Sequence, residues 1–228
     1  MKKYWIFTAV ALTAIRVAAT GVPGTISTNW TGSQVIPDNN ASGVAFSFNL
    51  SAGSPLVITN VTVDLQLSGG WNGDLYAYLS HGSGFAVLLN RLGTTAANPD
   101  GSGVSGLNVQ FSDSYLTDIH TALNNPLTGN FAPDGRNVNP YGALDTDPRT
   151  ALLGGFNGLD PNGTWTLFFA DVSPLATSTI QGWSVNIGTT VPEPNSVALL
   201  LLGAVTLLGR FGRTGRKVAV VAPRQPRP

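Results

Sequence analysis

The chain has 228 residues, of which only 11% are charged, with 27 glycines, 15 prolines and no cysteine. The missing cysteine excludes disulfides, thiolate zinc sites and cysteine nucleophiles, and the many turn formers point to β structure in one or two domains. The net charge of zero is uneven: between Thr20 and Val191 three arginines face eleven aspartates, a formal excess of eight negative charges that argues against nucleic-acid binding.

The chain begins with Lys2 and Lys3, an apolar stretch from Tyr4 to Ile15, and the small residues Val17-Ala18-Ala19. This is a secretory signal peptide pattern, with residues 1–19 removed before Thr20; the competing reading is a buried N-terminal helix. Residues 25–190 then form the globular domain. Several stretches alternate with period two, as strands with one buried face do. In "LVITNVTVDLQLS", Val57, Thr59, Val61, Val63, Leu65 and Leu67 share a face. Leu75, Ala77 and Leu79 oppose Tyr76 and Tyr78, and Trp165, Leu167 and Phe169 share a face, as do Trp183, Val185 and Ile187. Turn signals separate these runs, among them Gly82-Ser83-Gly84, Pro133-Asp134-Gly135 and Pro161-Asn162-Gly163. The pattern predicts an all-β sandwich. Tyr115–Leu123 reads as one or two helical turns, and Gly93–Gly106 as a long surface loop.

Beyond the domain come Pro192-Glu193-Pro194, an apolar run from Val197 to Leu208, and Arg210, Arg213, Arg216 and Lys217. The prolines stop the preceding strand. The apolar run predicts a short helix, well under the roughly 20 residues of a membrane span. Its basic flank would stay on the cytoplasmic side. Residues 218–228 form a further tail.

Residues 191–217 resemble the PEP-CTERM sorting signal of Gram-negative bacteria, carried by Pro192, Glu193, Pro194, the apolar run, Arg210 and Arg213. The resemblance implies an exosortase-like membrane enzyme as partner. The chain would be held transiently at the inner membrane, then processed and released to the cell surface or extracellular matrix. A permanent helical anchor is the alternative. The domain resembles the P domain, or Homo B domain, of proprotein convertases. The matching segments are Trp71–Gly93, with Gly73-Asp74-Leu75, Leu79-Ser80 and Leu88-Leu89-Asn90-Arg91, and Phe156–Ile187, with Gly163, Trp165, Leu167, Asp171 and Trp183. Ile36–Leu50 resembles the usual opening of that domain, while Gly93–Leu153 matches loosely. The implied fold is a jelly-roll sandwich of the galactose-binding-like type. In convertases this domain accompanies a subtilisin-like catalytic domain, so the resemblance implies an accessory role without activity of its own.

No catalytic triad is evident: the histidines are His81 and His120, and no Gly-x-Ser-x-Gly elbow occurs. Asp74 and Asp171, in the two matched segments, would face one structural Ca²⁺ if the sandwich pairs their strand ends, with Asp113, or Asp145 and Asp147, adding oxygens. Otherwise each caps a turn. Trp30, Trp71 and Tyr141 fall in or near loops and could stack on the sugar rings of an exopolysaccharide, whereas Trp165 and Trp183 read as core. The expectation is an exported, non-catalytic sandwich with a structural or binding role.

Overall fold

The structure, a computed structural model, describes residues 24–52, 55–122 and 124–192. The signal peptide, the apolar run Val197–Leu208, Glu193, Pro194, Arg210 and Arg213 lie outside them. Nine strands are described: β1 (Gly24–Val35), β2 (Asn40–Leu50), β3 (Val57–Gly69), β4 (Leu75–His81), β5 (Gly84–Asn90), β6 (Leu107–Phe111), β7 (Leu127–Phe131), β8 (Gly163–Asp171) and β9 (Ser178–Thr190). They form a five-stranded sheet in the order β1-β9-β3-β6-β7 and a four-stranded sheet in the order β2-β8-β4-β5. All neighbours are antiparallel except β6 and β7. The chain passes between the sheets repeatedly, and the inner faces close on one hydrophobic core. The molecule is an all-β sandwich.

Alternation sets the inner faces. Leu75, Ala77 and Leu79 are buried while Tyr76 and Tyr78 are half-buried on the outer side. Trp165, Leu167 and Phe169 of β8, and Trp183, Val185 and Ile187 of β9, all point inward. Strand β3 departs from the expected phase at its start. Ile58 is buried and Thr59 is exposed, because a bulge between Ile58 and Asn60, opposite β9, inserts one residue. From Val61 onward the face is as expected. The β4–β5 turn is a two-residue hairpin of Gly82 and Ser83, with Gly82 at φ +56°, a sign only glycine adopts freely. Within Tyr115–Leu123 the structure forms one short 3₁₀ turn, Ile119–Thr121, whose first free N–H is taken by Asp118. The expected surface loop Gly93–Gly106 runs partly inward, with Thr94 and Ser102 buried.

Aromatic packing fills the centre. Trp165 is fully buried, lies parallel to Phe48 at 6.2 Å and meets Phe156 at 5.1 Å. Its indole N–H donates to the Pro161 carbonyl at 3.0 Å, so burial leaves no polar atom unpaired. Trp30, expected near a loop, instead sits within β1 opposite Trp183 and packs on Phe46 at 4.8 Å. Its half-buried ring packs against the rim of the core. Trp165→Ala should destabilise the domain by about 3–5 kcal/mol in urea titrations, the cost of emptying a large aromatic site. A loss within about 0.5 kcal/mol would show that β8 does not organise the core.

Candidate functional site

Two buried polar centres are built where strands hand over to loops. The first lies where β4 begins and β8 ends. Leu75 is paired with Asp171, so Asp74 falls beside Val172, whose N–H donates to the Asp74 carbonyl at 2.9 Å. Asn72–Asp74 form a 3₁₀ turn under the loop that follows β5. Asn72 donates to the Val104 and Gly106 carbonyls, and Gly73 N–H donates to Ser102. A Cβ on Gly73 would stand 2.6 Å from the Asp100 oxygen and the Ser102 nitrogen, so only glycine permits this close approach.

Asp74 is 3% exposed and Asp171 0%. Burial pushes the Asp171 carboxyl up to about 6, and Asp74 and Asp38 push the same way; the N–H groups of Ser173 and Asn39 oppose them. Asp74 is also raised, first by burial, while Arg91 and the Ser173 hydroxyl draw it back. Oδ2 of Asp74, Oδ2 of Asp171 and Oδ1 of Asn72 are buried without a hydrogen-bond partner. Each such atom costs about 1–3 kcal/mol. Arg91, at φ +52°, donates to the Gly73 carbonyl at 2.9 Å and the Ser173 hydroxyl at 3.4 Å.

The other expected residues do not join this pair. Asp113 follows β6 at the end of the sandwich opposite Asn72–Asp74: Phe111 pairs with Val63, whereas Leu107 pairs with Leu67. Both Asp113 oxygens accept backbone N–H groups of the Leu153–Phe156 turn, so its carboxylate caps a turn. Asp147 caps the N–H of Leu144 at 2.8 Å. Asp145 meets Arg136 through its backbone carbonyl at 2.8 Å. Trp71 and Tyr141 are 43% and 63% exposed, on separate loops. Among the described residues no group of three or more His, Asp or Glu side chains could hold a metal ion.

The second centre was not legible in the sequence. Asp134, fully buried, accepts from His120 Nδ1 at 2.7 Å and from the Asn90 N–H at 3.3 Å. Its other oxygen meets the Arg136 N–H at 3.2 Å and guanidinium at 3.3 Å. Arg136 also pairs with Asp118 at 2.9 Å. Arg149 donates to the carbonyls of Pro133 and Asp134. The one available signal was scarcity: two of the domain's three arginines fall within the aspartate-rich stretch 134–149. Burial alone would lower the His120 pKa, but the hydrogen bond and charge of Asp134 outweigh it and leave it raised.

Thr94, His120 and Asp134 superficially form a hydroxyl–imidazole–carboxylate array. Its geometry is not that of a nucleophile and base. His120 Nε2 faces the Thr94 carbonyl at 3.0 Å, and the Thr94 hydroxyl donates to the Arg91 carbonyl at 2.9 Å. All three residues are at most 1% exposed. His81 is likewise engaged on both ring nitrogens, by the carbonyls of Thr164 at 3.0 Å and Asp160 at 2.7 Å, and lies flat on Trp165 at 4.2 Å.

Residues 190–217 match the family model of the PEP-CTERM protein-sorting motif. This motif marks the chain for export through the inner membrane, transient C-terminal anchoring and display at the surface of a Gram-negative cell, with exosortase as the general recognising enzyme. Among curated proteins, none matches the chain. Two solved structures are similar: the serine protease of Aeromonas sobria in complex with its chaperone (TM-score 0.39, 16% identity over 75% of this chain), and the same protease alone (TM-score 0.38, 15% over 74%). This chain spans 27% of the length of each.

Because folding raises the His120 pKa, this residue contributes stability that is fully present below its unfolded value, about 6.5, and lost as pH rises through the folded value. Asp171 acts with the same sign in a lower window, from 3.8 to about 6. His120→Asn should therefore cost about 3–5 kcal/mol near pH 6, from breaking a buried pair, and flatten the decline above it. Parallel stability profiles of the wild type and the variant would contradict this role.

Proposed function

We propose that the chain is a non-catalytic β-sandwich exported for display at the cell surface or in the extracellular matrix. It is held at the inner membrane by residues 191–217 until an exosortase-like enzyme processes that segment. The match of residues 190–217 to the sorting motif carries this reading. The state of the titratable groups supports the non-catalytic part. A general base needs a free nitrogen or oxygen within reach of substrate. Both histidines have both ring nitrogens engaged by protein oxygens. The one hydroxyl beside an imidazole, that of Thr94, is buried and donates elsewhere. The resemblance of Trp71–Gly93 and Phe156–Ile187 to the convertase P domain fits an accessory or structural domain.

The physical sense of the tail follows from its order. Strand β9 ends at Thr190, and Pro192 with Pro194 bars both a further strand and an immediate helix. Replacing Pro192, Glu193 and Pro194 together with alanine should block processing and leave the full-length chain in the membrane fraction. Mass spectrometry of the wild-type surface fraction should find no peptide much beyond Asn195. Recovery outside the cell of the domain still joined to "VAVVAPR" would contradict the proposal.

A further inference from the structure

We propose that Asp74 and Asp171 together hold one calcium ion, where β4 begins and β8 ends. The reasoning starts from charge supply. Every buried carboxylate needs donors or a cation, and this domain has three arginines for eleven aspartates. Arg136 and Arg149 are committed to Asp134, Asp118 and their loop. Arg91, beside Asp74, gives its hydrogen bonds to the Gly73 carbonyl and the Ser173 hydroxyl. No arginine of the chain therefore bonds the Asp74–Asp171 pair among the described residues.

Beside the two acidic oxygens, Asp74 Oδ2 and Asp171 Oδ2, the structure leaves one further oxygen, Asn72 Oδ1, buried and without a donor. Asp74 Oδ2 and Asp171 Oδ2 belong to residues 3% and 0% exposed, and Asn72 Oδ1, in the same 3₁₀ turn as Asp74, to one that is 0% exposed. Unpartnered oxygens from two carboxylates and an amide make a hard donor set. It contains no nitrogen or sulfur, since the chain lacks cysteine and both histidines are engaged elsewhere. Calcium accepts carboxylates, amide and backbone carbonyls and water in flexible geometry, whereas magnesium demands near-ideal octahedra. Two carboxylates suffice for such a site when neutral oxygens complete it. The paired register of β4 and β8 holds both carboxylates on rigid elements. Asp38, whose carboxylate accepts from the Leu175 N–H at 3.3 Å, adds negative potential nearby. Such a site suits the weak affinities of extracellular modules, Kd about 10⁻⁴–10⁻³ M.

The test is calcium titration calorimetry and thermal unfolding of the full chain in detergent, in millimolar calcium and in chelator. One ion per chain is expected, with a higher Tm in calcium. Asp74→Asn and Asp171→Asn should each weaken binding about tenfold or more and abolish the calcium-dependent shift. Both substitutions keep the shape and remove an uncompensated charge, so both variants should fold with equal or higher Tm in chelator. Three results would overturn the proposal: no heat and no Tm shift for the wild type, binding retained in Asp171→Asn, or an equal response to magnesium.

Discussion

Asp134 sits at the point where the loops of this sandwich meet, with no access to water. Its two oxygens are divided between His120 on one side and Arg136 on the other, while its backbone carbonyl accepts from Arg149. A buried carboxylate costs several kcal/mol unless its cations are fixed in good geometry. Satisfying it therefore fixes the loop after β5 through Thr94, the stretch between β6 and β7 through Asp118 and His120, and the long segment between β7 and β8 through Arg136 and Arg149. Asn90 adds the end of β5, donating to the Arg136 and Val138 carbonyls. Loops of this length would otherwise contribute little more than entropy opposing folding.

The same accounting of charge explains the contrast with the other buried acid pair. Asp134 and Asp118 are matched by protein cations. Asp74 and Asp171 are not, and Oδ2 of each lacks a donor. With few arginines, the domain neutralises the Asp134 centre internally and commits no arginine hydrogen bond to the Asp74–Asp171 pair. Neither centre presents a reacting group to solvent: His120 is held between Asp134 and the Thr94 carbonyl, and Asp74 and Asp171 are buried. Export and display need a fold that stays intact outside the cell, and both centres act on that property.

The sheets were legible where one face meets the core. Period-two alternation located the inward residues of β4, β8 and β9 because burial acts on every second side chain. It failed at the start of β3, where a bulge shifted the phase, and at Trp30, whose strand has a mostly exposed edge pattern. The Asp74–Asp171 juxtaposition was legible because both residues end strands that pair, whereas Asp113 was misplaced because its position depends on which end of β3 it adjoins. The Asp134 network left no local pattern. Its members are brought together from loops by tertiary packing, and an aspartate between Pro133 and Gly135 reads locally as nothing more than a turn residue.

Hydrogen exchange of the Asp134→Asn variant tests the organising role of that carboxylate most directly. Protection should fall together at the amides of Gly93, Ile119 and Asp145, which bond across the three loops, while the β3 and β9 ladder stays protected. A loss confined to the immediate neighbours of residue 134, with the distant loops protected as in the wild type, would contradict it.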